Sequence, residues 1–123
     1  MKRIGTYAFY ECPITVLNKD NFPRLEEIGS FSFFGCNITE IDLPCLRSVG
    51  EHGFDHCKSL KWLSAEKLEE AGDNCFANCP LLSSINCRLE PEKFTCDECG
   101  ECPVCYDDIK YCLQRGRSGE KDK

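Results

Sequence analysis

The chain has no excess of positive charge, no long apolar run and no leader-like start, and each absence excludes something. Its 15 Lys and Arg stand against 21 Asp and Glu, a formal net charge of −6, with a pI near 4.9. Surfaces that hold nucleic acid or anionic membranes need clustered Lys and Arg, so neither partner is expected. The one basic stretch, the tail 114–123, mixes charge signs with Gly and reads as disordered. No apolar run approaches a membrane span, and MKRIGTYAFYE lacks the apolar centre of a secretion signal. On this ground alone the expected location is cytoplasmic. No Ser, Cys or carboxylate pair has a partner arrangement suited to nucleophilic or acid–base catalysis, so no enzyme is expected. True core material is also scarce, because 12 cysteines inflate a hydrophobic share of 41%.

What is abundant is repetition. IGTYAFYEC from Ile4 returns as IGSFSFFGC from Ile28, VGEHGFDHC from Val49 and AGDNCFANC from Ala71, at spacings of 24, 21 and 22 residues. The segments between also match: ITEIDLPCL after Asn37, LKWLSAEKL after Lys58-Ser59 and LLSSINCRL after Pro80 share one apolar frame. The unit is L-x-x-L/I-x-L-P-x-L-x-x-I-G-x-x-A-F-x-x-C, about 22 residues, in four copies. A period of this length marks a solenoid, in which each unit is too small to bury its apolar side alone and stacks on its neighbours. The expected organisation is four repeats over 1–89, a cysteine-rich cap over 90–113 and a disordered tail over 114–123.

Within a unit the strand falls in the LKWLSA segment, where a period of two turns Leu63 and Ala65 inward and Trp62 and Ser64 outward. The outward positions should then align as Val16, Glu40, Trp62, Ser84 in one row and Asn18, Asp42, Ser64, Asn86 in the next. These eight are the candidate partner-binding residues. Trp62 is the single tryptophan; an interface anchor of this type is worth roughly 2 kcal/mol or more on truncation, although it could instead cover a sheet edge. The return to the next strand opens at Gly5, Gly29, Gly50 or Gly72, a position that needs positive φ or close backbone approach. Thr6, Ser30, Glu51 and Asp73 follow, three of them good N-caps for a helical turn. Such a turn places Phe9, Phe33, Phe54 and Phe76 in one stacked column.

These joint landmarks (L-P, I-G, A-F and C) resemble the BspA-like leucine-rich repeats over roughly residues 2–89. The resemblance implies a curved, non-catalytic solenoid used for adhesion or protein–protein contact, typically in cell-surface proteins of bacteria and protists. A protein partner is implied first, a glycan second, and self-association through an open first rung is a further option. The same resemblance points to a surface or secreted location, against the cytoplasmic expectation above.

The cysteines form two populations. Cys12, Cys36, Cys57 and Cys79 recur once per unit, as small buried hydrophobes in a ladder do; Cys75 takes a small core slot and Cys45 a loop. The second population is CDECGECPVC, with Cys96, Cys99, Cys102 and Cys105 at C-x-x-C-x-x-C-x-x-C and Cys87 and Cys112 flanking. A C-x-x-C turn sets two thiolates on one side at the separation tetrahedral zinc needs. The two-residue gap between the pairs strains a site using all four, so a set that borrows Cys87 or Cys112 is the easier zinc site. Disulfides in an exported chain, an iron–sulfur cluster and free thiols stay open beside zinc. Residues 90–113 are expected to close the solenoid, and zinc contributes about 10–16 kcal/mol in small finger peptides, enough to order them. His52 and His56 have i, i+4 spacing but read as solvent-facing repeat variation rather than metal ligands. Asn37-Ile38-Thr39 is a glycosylation sequon in a secretory setting and otherwise a turn.

Overall fold

The computed structural model describes residues 2–117, and they wind into about four stacked coils. Each coil gives one short strand to each of two parallel four-stranded sheets. The first holds β1 (Arg3–Ile4), β3 (Glu27–Ile28), β5 (Ser48–Val49) and β7 (Glu70–Ala71) in that order; the second holds β2 (Val16–Asn18), β4 (Glu40–Asp42), β6 (Trp62–Ser64) and β8 (Ser84–Asn86). A 3-10 turn at Pro91–Lys93 and helix α1 (Ile109–Arg117) follow.

The second sheet follows the period-two pattern. Its central residues Leu17, Ile41, Leu63 and Ile85 are at most 1% exposed, and they pair in strict register, Leu17↔Ile41↔Leu63↔Ile85. The first sheet was not expected. Its strands are two residues long, too short for alternation to show, and they exist because Ile4, Ile28 and Val49 are pulled under the neighbouring coils.

The return makes the third side. The amides of Ala8, Tyr10 and Cys12 bond three residues back, to the carbonyls of Gly5, Tyr7 and Phe9, while those of Tyr7, Phe9 and Glu11 donate across to Ser30, Ser32 and Phe34 of the next coil at 3.0, 2.8 and 2.7 Å. Alternate amides committed to the neighbour cannot also build i→i−4 bonds. The tight return is therefore a string of turns, and Thr6, Ser30 and Asp73 have no helix to cap. Left-handed residues recur at two frame positions, Tyr7, Phe31, His52, Asn74 and Glu11, Gly35, His56, Asn78.

The repeated glycines meet the close-approach alternative. None of Gly29, Gly50 or Gly72 has positive φ. Instead, a Cβ at Gly50 would lie 2.6 Å from the Ser30 amide nitrogen, and one at Gly72 2.5 Å from that of Glu51. The phenylalanine column is present: Phe9, Phe33, Phe54 and Phe76 stack at centroid spacings of 5.2, 5.5 and 5.8 Å. Phe94 extends it by one ring at 6.1 Å, which marks a partial fifth coil. The cysteine ladder is packed and hydrogen-bonded, with the thiols of Cys36, Cys57 and Cys79 donating to the carbonyls of Phe9, Phe33 and Phe54 in the preceding coil.

Helix α1 closes the exposed edge of the last coil. Arg115 Nε donates to the Ser83 carbonyl at 2.6 Å, and Arg117 donates to those of Cys87 and Leu89. One coil earlier the Lys61 carbonyl, in the place of Ser83, receives the amide of Ser83 itself. The guanidinium groups thus substitute for the amides of a further coil. This corrects the expectation of disorder from Gln114: residues 114–117 belong to α1, because the basic side chains bind backbone carbonyls and not solvent alone. Residues 118–123 of that expected tail lie outside the described residues.

Candidate functional site

Two arrangements stand out: the outward rows of the second sheet and a cluster of sulfurs at the end of the solenoid. The rows align as the period predicts, Val16↔Glu40↔Trp62↔Ser84 and Asn18↔Asp42↔Ser64↔Asn86. Seven of the eight are part-exposed. Ser84 is the correction: at 3% exposure it is buried, since α1 packs on β8, and it cannot serve a partner. Asn86 Nδ2 donates to Ser64 Oγ at 3.2 Å, tying the lower end of its row together.

Cys96, Cys99, Cys102 and Cys105 form the cluster. Their sulfurs all lie within 4.8 Å of one another, with Cys99 and Cys105 at 3.7 Å. The inferred strain in the short gap does not arise, because Glu98 (φ 56) and Gly100 (φ 80) are left-handed and reverse the chain between successive cysteines. Cys87 and Cys112, expected as substitutes, stand outside the group. Both are buried, and Cys112 donates its thiol to the Leu82 carbonyl while burial, then Asp108, pushes its pKa up to about 12.

The repeat itself positions the cluster. Counting 22 residues on from Asn74 and Ala77 reaches Cys96 and Cys99. The Asn74 amide donates to Thr95, and Asn74 and Asp97 exchange two further bonds, Nδ2 to Oδ2 at 3.1 Å and Asp97 amide to Oδ1 at 2.6 Å. The Asn78 amide, whose frame mates meet carbonyls, meets Cys99 Sγ at 3.3 Å. Burial raises the Cys99 thiol, but the amides of Asn78 and Glu101 and the neighbouring thiols outweigh it and bring the pKa down to about 7. Cys96, which burial raises to about 11, and Cys102, which burial also raises, each have a single backbone amide at the sulfur, from Cys99 and Cys105, and burial prevails there. A zinc–sulfur bond of about 2.3 Å puts tetrahedral sulfurs about 3.8 Å apart, so the four thiols could hold one metal ion.

A third group contains His52 and His56, which sequence reasoning weighed and set aside as solvent-facing repeat variation. The frame positions at the return surface carry two ring columns, Tyr7–Phe31–His52 and Tyr10–Phe34–His56, with centroids 4.5–5.0 Å apart. Between the two imidazoles lies Asp55, 4% exposed, which binds His52 Nδ1 at 2.7 Å and His56 Nδ1 at 2.8 Å. The available signal was Asp55 itself: a carboxylate at a position that Tyr10, Phe34 and Ala77 fill in the other coils.

The sequence profile of the BspA type leucine rich repeat region matches residues 1–98, in six copies. The match continues past Leu89 into the partial fifth coil. Comparison with curated proteins and with solved structures gave no match. No helix among the described residues is long and apolar enough to cross a membrane.

Proposed function

Because the chain belongs to the BspA type leucine-rich repeat family, whose repeats suggest a protein-interaction module, we propose that it captures a protein partner on the β2–β4–β6–β8 face, with zinc closing its end. The observation that carries this reading is the register that sets Trp62 beside Glu40, with Asp42 on that same neighbouring strand and Asn18 one strand further. A part-exposed aromatic amid acidic and amide side chains is the composition of an interface anchor and its rim. The two carboxylates favour a basic partner patch and would set its register more than its affinity. Val16, Ser64 and Asn86 extend the contact. The module is read as non-catalytic.

Zinc is the ion that suits the cluster. Four thiolates with no open position form a structural site rather than a catalytic one. Sulfurs within 4.8 Å of one another leave no space between them for a cluster of several irons. Bound there, zinc would hold the fifth coil against the fourth, and the residues that receive it are Cys96, Cys99, Cys102 and Cys105.

The test compares proteins retained from cell extracts by the immobilised chain and by its variants. Trp62→Ala and Asp42→Lys should each lose the retained partner, while Tyr111→Ala on α1 and Cys99→Ser keep it, the latter at lower thermal stability. A partner that survives both face variants refutes this face. Loss with Cys99→Ser at a temperature where its coils stay folded supports instead a metal or redox protein acting through the cluster.

A further inference from the structure

We propose that the return side of the first three coils is a second docking surface, which takes a basic protein segment. Its centre is a raft of six rings, two wide and three deep. Along the coils, Tyr7, Phe31 and His52 stack in one column and Tyr10, Phe34 and His56 follow one another in the other. Across the columns Tyr7 meets Tyr10 at 5.5 Å and Phe31 meets Phe34 at 5.8 Å. All six residues are at least part-exposed, Tyr7 by 54%.

Packing does not ask for these rings. Tyr7, Phe31 and His52 all have positive φ, a region that suits Gly and Asn and that bulky side chains avoid. The fourth coil puts Asn74 at that frame position and Ala77 at the position of Tyr10 and Phe34, so the same turn forms without a ring. Contiguous exposed aromatic surface, carried partly on strained backbone, marks a contact site.

Charge names the occupant. The five returns, 5–12, 29–36, 50–57, 72–79 and 95–105, hold seven carboxylates and none of the chain's 15 Lys and Arg. Two of the seven border the raft. Glu51 precedes His52 and accepts the Phe31 amide on its carbonyl at 3.0 Å. Glu11 follows Tyr10, and its Cγ lies 3.0 Å from where a Cβ on Gly35 would stand. Both are exposed, and neither carboxylate has an ion pair or hydrogen bond among the described residues.

Rings set between unpaired carboxylates suit Arg and Lys, whose stems cover apolar surface while their charged ends reach the acids. Charge complementarity of this kind steers a basic partner to the return side and turns an acidic one away. The surface is separate from the β2–β4–β6–β8 face and does not depend on that face binding anything.

The experiment titrates a synthetic peptide of alternating Arg and Leu into the full chain and follows the aromatic ring protons by NMR. The rings of Tyr7, Tyr10, Phe31 and Phe34 should move. Glu51→Lys and Tyr10→Ser, both at exposed positions, should each weaken the peptide by about tenfold, as loss of one interface anchor does. Asp42→Lys, the same change of charge on the strand face, should leave the ring shifts and their midpoint as in wild type. Equal weakening by Glu51→Lys and Asp42→Lys would mean attraction to net charge alone and overturns the surface. Rings that stay unmoved, or that move for a neutral oligosaccharide and not for the peptide, overturn it too. Ring signals that shift on dilution without peptide would make a second copy of the chain the occupant and refute the basic segment.

Discussion

The amide of Asn78 donates to the sulfur of Cys99 at 3.3 Å, in the place where the amide of His56, one coil earlier, meets the carbonyl of Ala77 at 3.0 Å. The repeat's own hydrogen-bond ladder thus ends on a cysteine. A backbone that needs an acceptor and a sulfur that needs stabilising as thiolate satisfy each other, which ties the last coil to whatever the cysteines hold.

Cys99 should be the first thiol to react in metal-free protein. With its pKa lowered to about 7, it ionises well before Cys36, which burial raises to about 11, and before Cys57, Cys75 and Cys79, all raised by burial. Brief alkylation near pH 7.5 followed by peptide mapping should place the label on Cys99, and one equivalent of zinc should protect it. Labelling that favours a ladder cysteine contradicts the assignment.

Gly50→Ala should destabilise by roughly 1–3 kcal/mol, the range for forced overpacking, because its Cβ would lie 2.6 Å from the Ser30 amide nitrogen. Gly5→Ala meets nothing within 4 Å and should change stability by no more than about 0.5 kcal/mol. Urea titration of the pair checks the contrast; equal effects would mean that close packing of coils is not what the glycines serve.

Phe54 is fully buried and stacked on both sides. Phe54→Ala should cost about 3–5 kcal/mol, and Phe9→Ala less, since that ring is only partly buried and stacks on the column from one side. Thermal melts of the two variants should therefore separate clearly.

Gly116→Ala should lift α1 off the last coil, because a Cβ there would lie 2.1 Å from the Ile85 carbonyl carbon. Arg115→Ala should do so more weakly, by removing the donor to the Ser83 carbonyl. Limited proteolysis should cut both variants near α1 sooner than wild type, Gly116→Ala soonest, while the amides of β4 and β6 keep their exchange protection. Wild-type cleavage rates in both would show that α1 does not cover this edge.

The solenoid was legible because each landmark recurs at a fixed spacing and serves one role: Phe33 and Phe54 stack, Leu63 faces the core, Gly50 admits its neighbour. The two-residue strands left no pattern, as Glu27–Ile28 is too short to alternate. Ser84 looked outward by period alone, and only the packing of α1 buries it. The interactions of Arg115 and Arg117 reach carbonyls about thirty residues away, a distance at which no local motif forms. Likewise the compact set of four sulfurs depends on Glu98, a non-glycine residue in the left-handed region, which spacing rules do not anticipate.

The most direct test of the account is the metal content of protein purified without added metal, measured together with its free thiols. One zinc per chain is predicted, with chelation opening the amides around Asn74 and Asn78 before those of β4 and β6. Metal-free protein with disulfides among Cys96, Cys99, Cys102 and Cys105 would contradict it.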